Sequence, residues 1–306
     1  MPALVLPGDM VWVDMIGLFD SGHGGLTVLR LLVERFPEQS FVYLGDHGNA
    51  PYGNRPADEI VDLTRTAVTE LFERGARLVL LACNTATCVA LRKLQQEWLP
   101  TTRWAGKHNV IGIVAPTVEA ATQTPWGITS PQYPQMYNAD VIAVFATRRT
   151  IASDVYRDEV LKRCPRIKLI QQACPDLAGA IEAGAPEADL DHLVGAAVAD
   201  ALEQAAGAPL HRAILGCTHY PLVEGLFKGH LPDHTRILSQ AETVADSLEH
   251  YLARHQRFAA DLGGCTAGGR QVRLLTSGDP AAVAAAARRF WPGAGTFEAW
   301  DGRKAE

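Results

Sequence analysis

The sequence predicts an α/β fold with mainly parallel sheets, and three observations carry that prediction. Short apolar runs bounded by polar turns alternate with runs of helical period along the chain. Two of the apolar runs end in a cysteine followed by hydrogen-bonding residues. Arg77-Leu78-Val79-Leu80-Leu81-Ala82 leads into Cys83-Asn84-Thr85-Ala86, and Ala213-Ile214-Leu215-Gly216 leads into Cys217-Thr218-His219-Tyr220-Pro221. Cys83 and Cys217 stand 134 positions apart, each about four strands into its half. That spacing suggests a weak internal duplication, with two similar lobes facing across one cleft.

Each element has a local reason. Ile16 to Phe19 is the first strand, and Gly24-Gly25 opens a helix with Leu26, Leu29, Leu32, Val33 and Phe36 on one stripe. Phe41 to Leu44 is the second strand and Asp58 to Arg74 a long amphipathic helix. Leu78 to Ala82 is the third strand, followed by a helix through Leu91 and Leu94; Val110 to Val114 reads as a strand ended by Pro116. Gln123 to Asn138 breaks the rhythm with three prolines, Trp126, Tyr133 and Tyr137, and reads as an ordered surface insertion. Val141 to Phe145, a helix from Ser153 to Arg163, Ile167 to Gln171, and helices through Glu182 and Ala206 resume the alternation. Ala213 to Gly216 is the second cysteine strand. A helix after Pro221, the strand Thr235 to Leu238 and the helix Glu242 to His255 follow. A polar Gly-rich loop spans Asp261 to Arg270, Val272 to Thr276 reads as an edge strand, and an Ala-rich helix from Pro280 to Phe290 closes the chain.

Composition narrows the function classes. At 306 residues, 47% apolar and 20% charged, the chain is an ordinary globular protein with room for two cores. A net charge of −6 gives no footprint for nucleic acid or an anionic membrane as partner. No apolar run approaches the ~20 residues that span a bilayer. Residues 1–14 are interrupted by Pro2, Pro7, Gly8 and Asp9 and lack a basic start, so they read as a non-core extension rather than a signal peptide. Six cysteines without regular spacing make no disulfide framework, and the absence of any C-x-x-C pair gives no support to a zinc site. Reduced thiols in a cytoplasmic protein are the expectation.

Three loops hold candidate chemistry. Phe19-Asp20-Ser21-Gly22-His23-Gly24-Gly25 is a strand end, a Gly-rich turn and a helix start. Thr27 occupies the third glycine position of a dinucleotide loop and no Lys-Ser or Lys-Thr follows, so neither nucleotide motif applies. The helix N-terminus beside Ser21 suits a carboxylate, while Asp20 fits a turn or capping role as well as catalysis. In Gly45-Asp46-His47-Gly48-Asn49-Ala50-Pro51-Tyr52-Gly53, Asp46 and Tyr52 are candidates at a strand's carboxyl end, and His47 reads as a solvated loop histidine. Most free cysteines are buried and inert, which is the reading for Cys88, Cys164 and Cys265. Cys83 and Cys217 differ because Asn84, Thr85, Thr218 and His219 cluster around them. A thiol has an ordinary pKa of ~8.5 and gives and takes protons once tuned. Inversion at an α-carbon needs a base on one face and an acid on the other, and two thiols, one per lobe, meet that need with no metal and no cofactor.

Asp20-Ser21-Gly22, Ala50-Pro51-Tyr52-Gly53, Cys83-Asn84-Thr85-Ala86 and Gly216-Cys217-Thr218-His219-Tyr220-Pro221, in this order, resemble glutamate racemase, of the cofactor-independent aspartate/glutamate racemase superfamily. The resemblance runs from about Ile16 to about Gly293. It implies two flavodoxin-like lobes with the site between them: residues 15–109 plus 221–306 in the first, 110–220 in the second. It implies interconversion of L- and D-glutamate, supplying D-glutamate for peptidoglycan. By the same resemblance Cys83 removes the α-proton of D-glutamate and Cys217 that of L-glutamate, assisted by Asp20 and His219, with Asp46 and Glu182 in lesser polar roles. Ser21, Tyr52, Gly53, Asn84, Thr85 and Thr218 match substrate-holding positions, and Thr147 and Thr150 resemble the second lobe's substrate-binding threonines. Family members are often homodimers. The chain departs from the family pattern at His23, where a small apolar residue is usual, at His47-Gly48-Asn49, where Thr-Ala-Arg is commoner, and in the length of the insertion.

Other readings fit parts of the same residues. An aspartate or broad-specificity racemase needs the same thiols. A cysteine hydrolase built on one thiol with His219 and Asp20 leaves the second cysteine unexplained, and a two-lobed amino-acid binder needs neither thiol.

Overall fold

In the computed structural model, which describes residues 15–124, 130–131, 140–259 and 271–301, the strands divide between two sheets. Met15–Asp20 (β1), Ser40–Gly45 (β2), Ala76–Leu81 (β3) and Asn109–Gly112 (β4) come first along the chain. Val141–Ala146 (β5), Lys168–Ala173 (β6), Leu210–Gly216 (β7) and Arg236–Leu238 (β8) follow, then Val272–Thr276 (β9) and Phe297–Ala299 (β10). The larger sheet runs β10-β9-β2-β1-β3-β4 and the smaller β6-β5-β7-β8. Every pairing between them is parallel.

The two sheets repeat one winding. β2-β1-β3-β4 and β6-β5-β7-β8 share the same order, and each has a register shift at the start of its central pair, at Met15/Ile16 and at Val141/Ile142. The cysteines occupy matching places just after β3 and β7, the third strand of each repeat rather than about the fourth. β1 and β5 are buried at every position, because helices cover both faces of a parallel sheet. Alternate side chains therefore feed different cores: Ile16 and Leu18 pack with Leu29 and Leu78, Met15 and Phe19 with Val68 and Leu71. Fully burying one such side chain contributes about 1.5–3 kcal/mol, so the strand ends that carry the thiols rest on a well-anchored frame.

Several elements differ from the sequence expectation. β4 pairs with β3 from Leu78↔Asn109 to Leu81↔Gly112, and β8 pairs with β7 from Arg212↔Arg236 to Ile214↔Leu238. Sheet membership therefore does not change at 109/110 or at 220/221: the first sheet runs on through Gly112, and the second takes back a strand after Pro221. Pro116 does not end a strand; it lies in the first turn of the helix Val114–Thr122, where its missing N–H has no intrahelical partner to lose. Val272–Thr276 is not an edge, since the three-residue β10 pairs beyond it. A strand of that length, with only Phe297 inward, has no readable period. Residues 1–14, most of the expected insertion and the expected Gly-rich loop lie outside the described residues. Among the described residues no helix is long and apolar enough to cross a membrane.

The lobes touch tightly beside the cysteines. A Cβ on Gly24 would stand 2.2 Å from Thr218 Oγ1, so only glycine lets the first lobe's loop press against the segment after β7.

Candidate active site

In each sheet the strand order reverses beside its central strand, at β1/β3 and at β5/β7, and ligands of open α/β sheets bind at such carboxyl-end switch points. The two switch points share one cavity of about 400 Å³. Cys83 and Cys217 both line it, together with Ser21, Tyr52, Thr85 and His219. Both thiols are almost wholly buried.

The Cys83 end is built on a helix start. Cys83 caps the helix Asn84–Lys93, its Sγ accepting the Ala86 N–H at 3.4 Å, and it shares a hydrogen bond with Ser21 Oγ at 3.5 Å. Those contacts favour a thiolate. Burial and then the charge of Asp20 outweigh them and push the Cys83 thiol up to about 12. Among the described residues no histidine is bonded to it.

The Cys217 end is built as a chain. Cys217 Sγ lies 3.7 Å from His219 Nδ1, His219 Nε2 bonds Glu182 Oε2, and Glu182 Oε1 bonds His23 Nδ1. His23 Nε2 donates to Val283 O at 3.0 Å. Burial opposes charge on His219, but hydrogen bonds to Cys217 and Glu182, and their charges, raise its imidazole well above the usual histidine range. Burial likewise opposes charge on Glu182, yet the bonds to His219 and His23 hold its carboxyl well below the usual range. Cys217 Sγ and His219 Nδ1 are placed to pass a proton between them. Phe290 packs against both histidine rings and walls the chain off.

The remaining expected residues fall into two groups. Gly53, Asn84, Thr147, Thr218 and Glu182 also line the cavity. Thr85 Oγ1 meets Thr147 Oγ1 at 3.0 Å and Thr150 Oγ1 at 3.1 Å, a hydroxyl cluster joining the two lobes. Gly53 approaches that cluster so closely that a Cβ would stand 2.9 Å from Thr147 Cβ. Asp20, Asp46 and Thr150 are fully buried behind the cavity wall rather than on it. Asp20 accepts the Gly22 N–H at 2.9 Å and the Thr218 hydroxyl at 3.1 Å, and burial raises its pKa despite the charge of His219. Asp46 accepts from Tyr52 Oη at 2.6 Å and Ser277 Oγ at 2.5 Å, and so anchors the Tyr52 loop.

Sequence reasoning did not place Tyr156 and Gln240 here. Tyr156 Oη donates to Asn84 Oδ1 at 2.7 Å, and Gln240 bonds both ends of the Asn84 amide at 2.9 and 3.1 Å. Gln240 follows a helix-capping serine and carries no motif, so nothing in the chain pointed to it. His23 did carry a signal, as a departure inside the first glycine-rich loop.

No family model matches the chain. A glutamate racemase of Phenylobacterium zucineum is 47% identical over 286 residues, covering 92% of this chain and 99% of that protein. One from Caulobacter sp. is 46% identical over 287 residues, covering 93% and 99%. The chain belongs to the glutamate racemase family. The crystal structure of a glutamate racemase isoform from Bacillus anthracis superposes with a TM-score of 0.77 at 28% identity, over 94% of this chain and 97% of that one. The glutamate racemase architecture of two α/β lobes accounts for the repeated winding of the two sheets.

Proposed function

We propose that the protein is a glutamate racemase that interconverts L- and D-glutamate by proton transfer between Cα and two thiols. One observation carries the reading: Cys83 and Cys217 end equivalent strands of two repeats and line the same cavity. The shared name of the curated relatives carries the choice of glutamate. Cys217, with His219 holding its proton, removes the α-proton of L-glutamate, and the Cys83 thiol delivers a proton to the opposite face. The reverse sequence acts on D-glutamate. Thiols supply acid and base alike, so the step as proposed uses no cofactor. The hydroxyls of Thr85 and Thr147 and the Asn84 amide are the donors offered to the substrate's carboxylates, while the Ser21 and Thr218 hydroxyls are engaged with Cys83 Sγ and Asp20. Asp20, Asp46 and Thr150 act through these groups as positioning residues. The product supplies D-glutamate for peptidoglycan, and the five free cysteines of the described residues fit a reducing, cytoplasmic setting.

The test is L-glutamate in D₂O with no added cofactor. Circular dichroism decays to zero while one deuterium enters Cα per inversion, since the delivered proton comes from an exchangeable thiol. Unchanged rates in Cys83→Ser and Cys217→Ser overturn the reading. Aspartate run in parallel measures the discrimination of one methylene, worth about 1–3 kcal/mol.

A further inference from the structure

His23 and His47, the two histidines at which the chain departs from its family's pattern, lie against each other with ring centroids 4.2 Å apart. His47 is not a solvated loop residue. Its Nδ1 lies 2.9 Å from Gly45 O and 2.8 Å from Thr276 Oγ1. A carbonyl only accepts, so Nδ1 carries the proton and Nε2 the bare lone pair. That Nε2 is buried and has no hydrogen-bond partner among the described residues. His23 is fixed in a similar way, its Nε2–H on Val283 O turning Nδ1 toward Glu182 Oε1. Donor atoms of His23, His47 and Glu182 all lie within 4.8 Å of one another.

We propose that His23, His47 and Glu182 form a three-ligand site for a divalent transition-metal ion of the zinc class, set in the wall of the substrate cavity. Two imidazoles and a carboxylate are a donor set for such an ion at about 2.0–2.2 Å, with a fourth position open to water from the cavity. Each imidazole already has its other nitrogen held by a backbone carbonyl, the arrangement that orients metal-bound histidines. Binding exchanges waters of the ion for His23 Nδ1, His47 Nε2 and Glu182 Oε1, and any proton on His23 Nδ1 leaves to solvent. Glu182 Oε2 stays on His219, so occupancy is linked to the Cys217 end.

The experiment titrates Co²⁺ into the chelator-treated full chain and into the Cys83→Ser/Cys217→Ser double variant. One equivalent binds in both, with visible d–d bands and no sulfur-to-cobalt charge-transfer band. His47→Gln weakens that binding by at least about tenfold. Proton NMR of the Co²⁺-loaded wild type, which needs no variant, shows two hyperfine-shifted exchangeable imidazole signals, from His23 Nε2–H and His47 Nδ1–H. Binding that vanishes with the thiols, an unchanged affinity in His47→Gln, or the absence of those two signals overturns the proposal.

Discussion

The two thiol ends share a topology and differ in how they hold a proton. β3 and β7 deliver Cys83 and Cys217 to matching places at the cavity. Cys83 then meets a hydroxyl and a backbone N–H, whereas Cys217 meets an imidazole backed by a carboxylate and a second imidazole. Position comes from the repeated winding; protonation comes from side chains that the repeat does not share. Burial and Asp20 push the Cys83 thiol up to about 12, whereas Cys217 stands beside an imidazole placed to exchange a proton with it. Enantiomers have equal free energy, so kcat/KM is the same in both directions whatever this asymmetry. The difference shows in which Cα–H step limits each direction.

Removing either sulfur is the largest way to probe the comparison. Loss of a positioned acid or base costs about 10²–10⁴-fold, so Cys83→Ser and Cys217→Ser each lower kcat/KM by that factor in both directions. Hydrogen exchange separates them. Cys83→Ser still washes deuterium out of L-glutamate without inverting it, and Cys217→Ser does so only for D-glutamate. Exchange of both enantiomers in one variant breaks the assignment of faces. His219→Asn comes next, with kcat/KM down by about 10²-fold or more. Its primary isotope effect grows for L-[2-²H]glutamate and shrinks for the D substrate, because the Cys217 step becomes the higher barrier. Equal isotope effects in both directions would place His219 outside that step.

Glu182→Gln acts one bond further away. It removes a charge-assisted hydrogen bond worth about 1.5–3 kcal/mol, or roughly 10–150-fold in rate. The sign on pH follows from His219, which Glu182 helps to raise. Without the carboxylate the imidazolium loses its proton sooner, and the alkaline limb of L-glutamate turnover moves to lower pH. A pH profile that keeps its alkaline limb in place shows that Glu182 only fills space.

Much of this was legible in the chain because it was written in periodicity and local motif. The strands of both repeats are mostly apolar runs, and Ser21, Cys83, Thr85, Cys217 and His219 follow strand ends within four residues. What was not legible is long-range pairing. That β8 returns to the second sheet, and that β10 covers β9, depends on partners far along the chain. The chain from Cys217 to His23 joins residues 23, 182 and 219 through side chains alone, and only the odd histidine in a glycine-rich loop hinted at it. Asp46, which local reading set at a strand's carboxyl end beside the ligand, turns inward instead, and Asp20 takes the turn role that local reading left open beside catalysis, because each finds hydroxyl or backbone donors within its own loop or across the lobe contact.

The smallest expected effect sharpens the comparison from the Cys83 side. Among the described residues Ser21 Oγ makes the one side-chain hydrogen bond to that thiol, and it lowers a pKa that burial and Asp20 raise. Ser21→Ala therefore moves the thiol further up. A hydrogen bond of this kind is worth about 0.5–1.5 kcal/mol, roughly 2–13-fold in rate. Below its pKa the thiolate fraction falls tenfold per pH unit, so the variant displaces the kcat profile for D-glutamate downward across pH 7–9 without changing its slope. Turnover that starts from the Cys217 thiolate is less affected, and kcat falls more for D- than for L-glutamate while KM compensates to keep kcat/KM equal. A change confined to KM in both directions would instead put the Ser21 hydroxyl on the substrate carboxylate, leaving the helix N-terminus and the Ala86 N–H as the whole support of the Cys83 thiolate.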